Sequence, residues 1–265
     1  MGKLPKTIYE INKKRKTKEM IDYTLSDKLK IQYQTAKPFP YIVIDNFLPE
    51  FLLKSCLEEI KKHKKWFSNG EEWVEEFEKN KLYYPSENTD MEEFKNFLPI
   101  TNMVTDYMNS EPFIKFLENL TGFEKLYRDP VMMGGGIHKI NKGGKLSIHI
   151  DYNQHPNQKW KRNLNVLLYL NENWVKEWGG NLELWGGEPW KKEIEVEPIF
   201  NRAVIFSIED APHGHPIPLN TPDDVSRYSL ALYYFTDEEV KDKHSVIFYR
   251  DEELGINETD NLFKF

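Results

Sequence analysis

The sequence predicts a mainly β fold with flanking helices, and two features of the 265-residue chain indicate it. After Leu126, short segments rich in β-branched and aromatic residues are separated by Gly, Asn and Pro, which is typical of a sandwich, barrel or jelly roll. Before Leu126, apolar residues recur at helical spacing, so helices are expected to precede the β region. A hydrophobic content of 39%, with 14% aromatic residues, is sufficient for a packed core.

The first half of the chain is predicted to contain a strand followed by helices. The strand covers residues 41–45, and the first helix begins near Pro49, whose fixed φ suits the first helical turn. The apolar stripe of this helix is Phe51, Leu52, Cys56, Leu57 and Ile60. A second helix is expected over residues 91–108. A third follows Ser110, a common helix cap, and ends at Thr121-Gly122.

The second half of the chain is predicted to be β. Candidate strands are residues 131–140, 145–151, 164–170, 181–185, 193–196, 203–208 and 227–235. The segment SVIFYR near the C-terminus is expected to add an edge strand.

Residues 68–90 are acidic and rich in aromatic side chains but show no clear periodicity. Two interpretations stay open for this segment. It is either a mobile lid with Trp73, Tyr83 and Tyr84 as substrate contacts, or a loop that those aromatic side chains anchor.

The tripeptide His149-Ile150-Asp151 is the feature with the clearest chemistry. Because side chains alternate along a strand, His149 and Asp151 are expected on the same face. The segment APHGHP supplies a third candidate, His213, with His215 as its competitor. Two imidazoles and one carboxylate are the protein ligands of the 2-His-1-carboxylate site, which holds non-haem Fe(II) and leaves coordination positions open.

A later predicted strand carries Arg227, with Ser229 on the same face. A guanidinium is always charged and can bind a carboxylate through two parallel hydrogen bonds. A 2-oxo acid that chelates iron and also carries a second carboxylate would need such a partner.

Seven segments, taken in order, resemble one known family: PFPYIVIDNFLP, GGKLSIHIDYN, RNLNVLLYLNENW, GGNLELW, EPIFNRAVIFS, HGHP and SRYSLALYYF. The family is the Fe(II)/2-oxoglutarate dioxygenase superfamily and, within it, the prolyl 4-hydroxylase-like branch. The resemblance implies a double-stranded β-helix core, of the jelly-roll or cupin type, supported by N-terminal helices. This domain would cover residues 37–240, between a basic N-terminal arm (1–36) and a C-terminal extension (241–265) that could add an edge strand.

The resemblance also implies the roles of the motif residues. Fe(II) would be bound by His149, Asp151 and His213, because the family pattern HG-x-P makes its first histidine the ligand. In related halogenases a small residue replaces the carboxylate ligand, so the presence of Asp151 favours hydroxylation.

The cosubstrate implied by the resemblance is 2-oxoglutarate, which is consumed together with O2 and released as succinate and CO2. Its far carboxylate would be bound by Arg227, Ser229 and Tyr169. Ascorbate is a further cofactor candidate for this family.

The substrate implied by the resemblance is a prolyl residue in a peptide or protein. Two alternatives stay open: a hydroxylase of another side chain or of a small metabolite, and a catalytically silent jelly-roll binding module. Candidate substrate contacts are Asn165, His155, His215 and Trp73. Asn165 could equally be a satisfied buried amide, and His155 a solvated residue near the entrance.

Charge and cysteine content limit the partners and the compartment. A net charge of −7 argues against a general nucleic-acid binder. The run NKKRKTK at residues 12–18 is basic and is interpreted as a solvated tail or short helix, with an arm that binds nucleic acid or a partner as the alternative. The single cysteine, Cys56, is expected to be buried and suits a reducing cytoplasm. No long apolar segment predicts a membrane span, so a soluble cytoplasmic protein is expected. The oligomeric state does not follow from the sequence.

Overall fold

The structure, a computed structural model, describes residues 20–68 and 76–256. Its helices are α1 (Thr24–Thr35), α2 (Glu50–Lys62), α3 (Met91–Phe97), α4 (Pro99–Met108) and α5 (Glu111–Thr121), with a short 3₁₀ turn at Lys176–Trp178. Its strands are β1 (Tyr41–Asp45), β2 (Glu78–Tyr84), β3 (Tyr127–Arg128), β4 (Gly136–Ile150), β5 (Lys161–Tyr169), β6 (Leu182–Gly186), β7 (Lys191–Val196), β8 (Arg202–Ser207), β9 (His213–His215), β10 (Arg227–Thr236) and β11 (Ile247–Phe248).

The strands form one curled antiparallel sheet in the order β1-β8-β5-β10-β4-β9-β6-β7, with β2 and β11 also paired to β4. The long strand β4 joins the two halves of this sheet. It pairs with β10 through residues 136–140 and with β9 at Leu146 and His149. This architecture, with helices on the outside, confirms the predicted jelly roll.

The strand β10 separates an outer core from the interior of the curled sheet. Its even-numbered residues, such as Leu230 and Tyr234, belong to the large core that the helices cover. Its odd-numbered residues, such as Ala231 and Tyr233, belong to a separate inner cluster. Since side chains alternate along a strand, Arg227 lies on the inner face.

The helices pack on the outer face of the sheet through apolar stripes. The helix α5 buries Phe113, Phe116 and Leu117 in the outer core. It ends at Gly122, whose φ of 90° is the left-handed conformation that glycine adopts most easily, as the sequence predicts. The Tyr234 hydroxyl donates a hydrogen bond of 2.7 Å to the Met108 carbonyl, which ties the end of α4 to β10.

Two predictions of element boundaries are wrong. The single helix expected over residues 91–108 is two helices, α3 and α4, because Pro99 disfavours helical geometry at Leu98, which has φ −131° and ψ 59°. The two strands expected over residues 131–140 and 145–151 are one strand, β4, which begins only at Gly136. The three-residue strand β9 is too short to be recognised from its sequence pattern.

Part of the segment at residues 68–90 is also different from expectation. The strand β2 pairs with β4, so Tyr83 and Tyr84 lie in the sheet and belong neither to a lid nor to a loop. The Tyr84 ring is fully buried. Trp73 lies outside the described residues.

The two ends of the described chain are packed onto the domain. The helix α1, within the predicted arm, is bonded to α5 through Asn119, whose amide donates to Ser26 at 2.8 Å. The helix α1 therefore packs on the rest of the described chain, whereas the basic run at residues 12–18 lies outside the described residues. The predicted C-terminal edge strand is confirmed as β11, which pairs with Ile150 and His149. None of the described helices is long and apolar enough to cross a membrane.

The start of α4 depends on a carboxylate from another helix, and this contact can be tested. Glu59 accepts hydrogen bonds from the backbone N–H groups of Ile100 and Thr101, at 3.0 and 2.7 Å, and from the Thr101 hydroxyl. Replacing Glu59 by Ala should lower the free energy of unfolding by about 1–3 kcal/mol, because N–H groups of this helix end lose a charged acceptor. Urea denaturation measures the change.

The neighbouring exposed residue Glu58 provides the matched control. Glu58→Ala should leave the urea midpoint within experimental error of the original protein. Equal midpoints for Glu58→Ala and Glu59→Ala would show that the carboxylate does not stabilise α4.

Candidate metal centre

Three potential metal ligands meet where β4 runs beside β9. His149 pairs with His213 across these strands, and Asp151 follows directly after the end of β4. One ligand atom from each residue lies within 4.8 Å of the others. The Nε2 atoms of His149 and His213 are 3.7 and 3.6 Å from the two carboxylate oxygens of Asp151. All three side chains are buried, so the arrangement could hold one metal ion.

The hydrogen bonds of the two histidines orient their rings for metal binding. His149 Nδ1 lies 2.9 Å from the Ser147 carbonyl, and His213 Nδ1 lies 2.9 Å from the Ala211 carbonyl. Because a carbonyl oxygen can only accept, each Nδ1 carries the hydrogen and each Nε2 keeps its lone pair. Second partners of this kind fix the tautomer of metal-binding histidines.

Burial keeps these imidazoles neutral. It lowers the pKa of His213 to about 4, with the neighbouring His149 acting in the same direction and Asp151 opposing it. Burial likewise lowers the pKa of His149, against the effect of Asp151. Since a metal binds the unprotonated ring, both histidines are in the binding form at neutral pH.

The carboxylate of Asp151 is held on one side only. Arg162 and Asn165 donate hydrogen bonds of 2.9 and 2.7 Å to its Oδ2 atom. The same guanidinium nitrogen of Arg162 also donates to the side-chain oxygen of Asn165 at 2.8 Å. Burial opposes ionisation of Asp151, but Arg162 and the two nearby histidines hold its pKa below the usual range. The Oδ1 atom remains directed toward His149 as the ionised ligand.

Arg162 is itself fixed between two tyrosine rings. Its guanidinium carbon lies 4.4 Å from the ring centre of Tyr152 and 3.4 Å from that of Tyr233. The hydroxyls of these tyrosines donate to the carbonyls of Met133 and Gly134, at 2.8 and 3.0 Å. Sequence reasoning missed Arg162, because a spacing of three from the inward-facing Asn165 predicts the opposite face of a regular strand. A register shift between Tyr234 and Phe235, which pairs Phe235 with Arg162, brings it to the inner face.

One cavity of about 320 Å³ connects the three-residue cluster with Arg227. Arg227 is buried and donates to the Gly180 carbonyl at 2.8 Å and to the Tyr169 hydroxyl at 3.3 Å. Glycine is required at 180 because its φ is +72° and an added Cβ would lie 2.5 Å from a Leu219 methyl. Among the described residues, Arg227 has no carboxylate partner. Burial lowers the pKa of its guanidinium, and only Tyr169 opposes that effect. This end of the cavity is therefore suited to an anion.

The other predicted cofactor contacts surround Arg227. Ser229 lines the cavity, and its neighbours across the sheet are Tyr169 on β5 and His138 on β4. Tyr169 does not line the cavity but lies behind Arg227, with its ring centre 4.9 Å from the guanidinium carbon. The direct contact of Tyr169 with a cosubstrate stays a prediction.

The four predicted substrate contacts have different environments. Asn165 and His215 line the cavity. The Asn165 amide is bonded to Asp151, so the alternative of a satisfied buried amide describes it well. His155 is not solvated as expected: it is 3% exposed, does not line this cavity, and lies 3.4 Å from an Asp129 oxygen. Trp73 lies outside the described residues.

The strand β2 adds residues to the cavity that the sequence did not indicate. Lys81 and Glu78 form an ion pair of 2.6 Å in its wall, and Tyr83 lies beside them. These residues reach the cavity because β2 pairs with β4, and no local sequence pattern predicts that pairing. His138 also lines the cavity.

Residues 135–235 match the sequence model of the 2OG-Fe(II) oxygenase superfamily. The match includes the HxD tripeptide, both histidines of HGHP and Arg227. None of the curated proteins matches the sequence significantly.

Solved structures of 2OG-Fe(II) oxygenases share the fold. A Trichoplax adhaerens prolyl hydroxylase, in complex with a hypoxia inducible factor oxygen degradation domain peptide, is 20% identical with a TM-score of 0.52, over 86% of this chain and 92% of that chain. HygX from Streptomyces hygroscopicus, with nickel and 2-oxoglutarate bound, is 11% identical with a TM-score of 0.53, over 85% and 98%. At these identities the likeness concerns the fold.

The Arg162 clamp on Asp151 gives a measurable expectation. Arg162→Met should weaken metal binding about 10- to 100-fold, because the loss of a partner of a ligating carboxylate has that typical cost. The change is measured as the dissociation constant for Fe(II) under anaerobic conditions, with circular dichroism to confirm folding.

Arg202→Met is the matched control, since Arg202 forms a two-point ion pair with Asp45, at 2.6 and 2.9 Å, away from the cavity. This control should bind Fe(II) as the original protein does. If Arg162→Met also kept the original Fe(II) affinity, the hydrogen bond from Arg162 to Asp151 would have no influence on metal binding.

Proposed function

We propose that this chain is an Fe(II)- and 2-oxoglutarate-dependent dioxygenase that hydroxylates a C–H bond of its substrate. The observation that carries the proposal is one cavity with a 2-His-1-carboxylate cluster at one end and, at the other, a buried Arg227 that has no carboxylate partner within residues 20–68 and 76–256. A 2-oxo acid with a second carboxylate has the matching chemistry, since one end chelates a metal and the other needs a cation.

In this proposal His149, Asp151 and His213 hold the iron. The donor set of two neutral imidazoles and one carboxylate fits Fe(II), and three protein ligands leave positions for the cosubstrate and O2. Bound Fe(II) would supply the oxidative decarboxylation of 2-oxoglutarate to succinate and CO2, with one oxygen atom of O2 entering succinate and the other the substrate C–H bond. Ascorbate enters the proposal as the reductant that restores Fe(II).

The side chains around the cavity perform binding and orientation. Arg227 binds the far carboxylate through its free guanidinium edge, while Gly180 and Tyr169 hold the other edge in place. Ser229 is placed to donate its hydroxyl to the same carboxylate. Arg162 and Asn165 occupy one oxygen of Asp151, so the ligand presents the other oxygen to the metal.

The proposed substrate class is a prolyl residue in a peptide or protein. The fold is shared with a prolyl hydroxylase solved with a peptide, and aromatic rings suited to an apolar ring, Tyr83, Tyr152 and Tyr233, line the cavity. The alternative is a small-molecule substrate, because the same fold is found in HygX with hygromycin B bound.

The reaction class is tested by anaerobic titration of Fe(II) and 2-oxoglutarate into the protein. A visible metal-to-ligand charge-transfer band that needs both additions is expected, since bidentate chelation of the iron produces it. His149→Ala and Asp151→Ala should abolish the band and 2-oxoglutarate turnover while the fold is retained. His244→Ala, a histidine outside the cavity, is the matched control and should keep both. Turnover at the original rate in either ligand variant would contradict the metal assignment.

Arg227 is tested separately from the ligands. Arg227→Ala should raise the concentration of 2-oxoglutarate needed for half-maximal band intensity by about 100-fold or more, because a buried charge-assisted pair is lost. Fe(II) affinity should change little, in contrast to the ligand variants. An unchanged requirement for 2-oxoglutarate would reject the role of Arg227.

The substrate class is tested by succinate release and mass spectrometry with a library of peptides that differ only by Pro or Ala at one position. Proline-dependent succinate and a mass gain of one oxygen on the proline are expected. Succinate release stimulated by small molecules but by none of the peptides would contradict prolyl hydroxylation and leave the reaction class intact.

A further inference from the structure

We propose that His215 donates a hydrogen bond to the far carboxylate of the bound 2-oxo acid, beside Arg227, and so takes part in cosubstrate selection. This inference rests on the proposed function. Sequence reasoning treated His215 as a rival metal ligand or as a substrate contact. It lines the cavity but is not one of the three clustered ligands.

The position of His215 on β9 directs it into the cavity next to the metal cluster. His213 and His215 are two residues apart on one strand, so their side chains share a face. His213 lies opposite His149, whereas His215 lies opposite Leu146, which is farther from Asp151 along β4. His215 lines the same cavity as Arg227 and is not one of the three clustered ligands.

Geometry places His215 toward the Arg227 end of this cavity. His215 and Gly180 together line a neighbouring pocket, and the Gly180 carbonyl accepts a hydrogen bond from Arg227. Lys81 is already paired with Glu78. Of the cations that line the cavity, Lys81, Arg162 and Arg227, only Arg227 has no carboxylate partner among the described residues, so we expect an anion to bind at Arg227, within reach of His215.

The hydrogen bonds of His215 are unfulfilled within the described chain. Its side chain is 3% exposed, and neither Nδ1 nor Nε2 has a hydrogen-bond partner there. The other histidines of this cavity differ, because His149, His213 and His138 each bond to a backbone carbonyl. An unmatched polar group in the interior destabilises the protein, and a bound ligand that supplies the partner removes that cost.

A neutral imidazole suits this task chemically. It carries one N–H, which can donate to a carboxylate oxygen that Arg227 leaves unbonded. The neutral ring adds no second positive charge to this part of the cavity. The single negative charge of the far carboxylate is therefore balanced by Arg227 alone. Hydrogen bonds to charged groups are about twice as strong as those between neutral groups, which makes the contact measurable.

The test compares His215→Leu with the original protein in two measurements. Calorimetry under anaerobic conditions with Fe(II) gives the dissociation constant for 2-oxoglutarate, which should rise about 10-fold or more because the donor is lost. Thermal unfolding without metal or cosubstrate should give an equal or higher midpoint, because an apolar side chain replaces an unsatisfied polar one. A purely structural role would lower the midpoint and leave the dissociation constant unchanged.

Two further comparisons sharpen this test. His215→Gln retains N–H donors and should recover part of the affinity, and His244→Leu makes the same chemical change outside the cavity and should bind 2-oxoglutarate normally. 2-Oxopentanoate has the same chain length but lacks the far carboxylate, so the original protein and His215→Leu should bind it equally.

The outcomes separate this inference from the proposed function. If the original protein binds 2-oxoglutarate and His215→Leu binds it equally well, the contact is rejected and the dioxygenase assignment stands. Equal losses for 2-oxoglutarate and 2-oxopentanoate also reject the contact with the far carboxylate. Failure of the original protein to bind 2-oxoglutarate in the presence of Fe(II) would instead reject the proposed function.

Discussion

The pairing of β4 with two different neighbours is the constraint on which the rest of the structure depends. One continuous strand forms a ladder with β10 at residues 136–140 and with β9 at Leu146 and His149. The first ladder places Arg227 opposite Ile140, and the second places His213 opposite His149. Because a strand has a nearly fixed rise per residue, this register sets how far the anion end of the cavity lies from the metal end. A slip by one residue would turn the ligands away from the interior.

Arg227 differs from the other buried charged residues of the cavity in its partners. Taking an ion out of water is costly unless a partner of opposite charge and additional hydrogen bonds compensate it. Asp151 has Arg162 at 2.9 Å, and Lys81 has Glu78 at 2.6 Å. In the part of the chain that the structure describes, Arg227 has only the Gly180 carbonyl and the Tyr169 hydroxyl as partners. A bound anion would therefore compensate its charge, as the proposed function requires.

The outer core and the metal centre are mechanically connected through β10. Tyr234 is bonded to the end of α4 on the outer side, and Tyr233 stacks on Arg162 on the inner side. Arg162 in turn holds Asp151. Alternation along one strand thus links helix packing to the residue that holds the candidate ligand Asp151.

Local patterns in the sequence determined a large part of the fold. Short segments rich in β-branched and aromatic residues predicted β1, β5, β8 and β10 nearly at their observed bounds. Gly122 marked the end of α5. Both signals act over a few neighbouring residues, so they can be read from the sequence. The pair His149 and Asp151 was equally readable, since two residues on one strand share a face. The assignment of His213 and Arg227 needed the resemblance to a family, because spacing alone does not fix which distant strand lies opposite.

Only the tertiary structure decided the contacts that join distant segments. It brought β2, with Lys81 and Glu78, onto β4, and it placed Arg162 against Asp151 between two tyrosines. It also separated His155, which is buried beside Asp129, from His215, which is buried without a partner inside the cavity. The sequence by itself does not distinguish the environments of these polar residues. Whether each is solvated, paired or left for a ligand depends on strand pairing and burial, which arise from interactions between segments far apart in the chain.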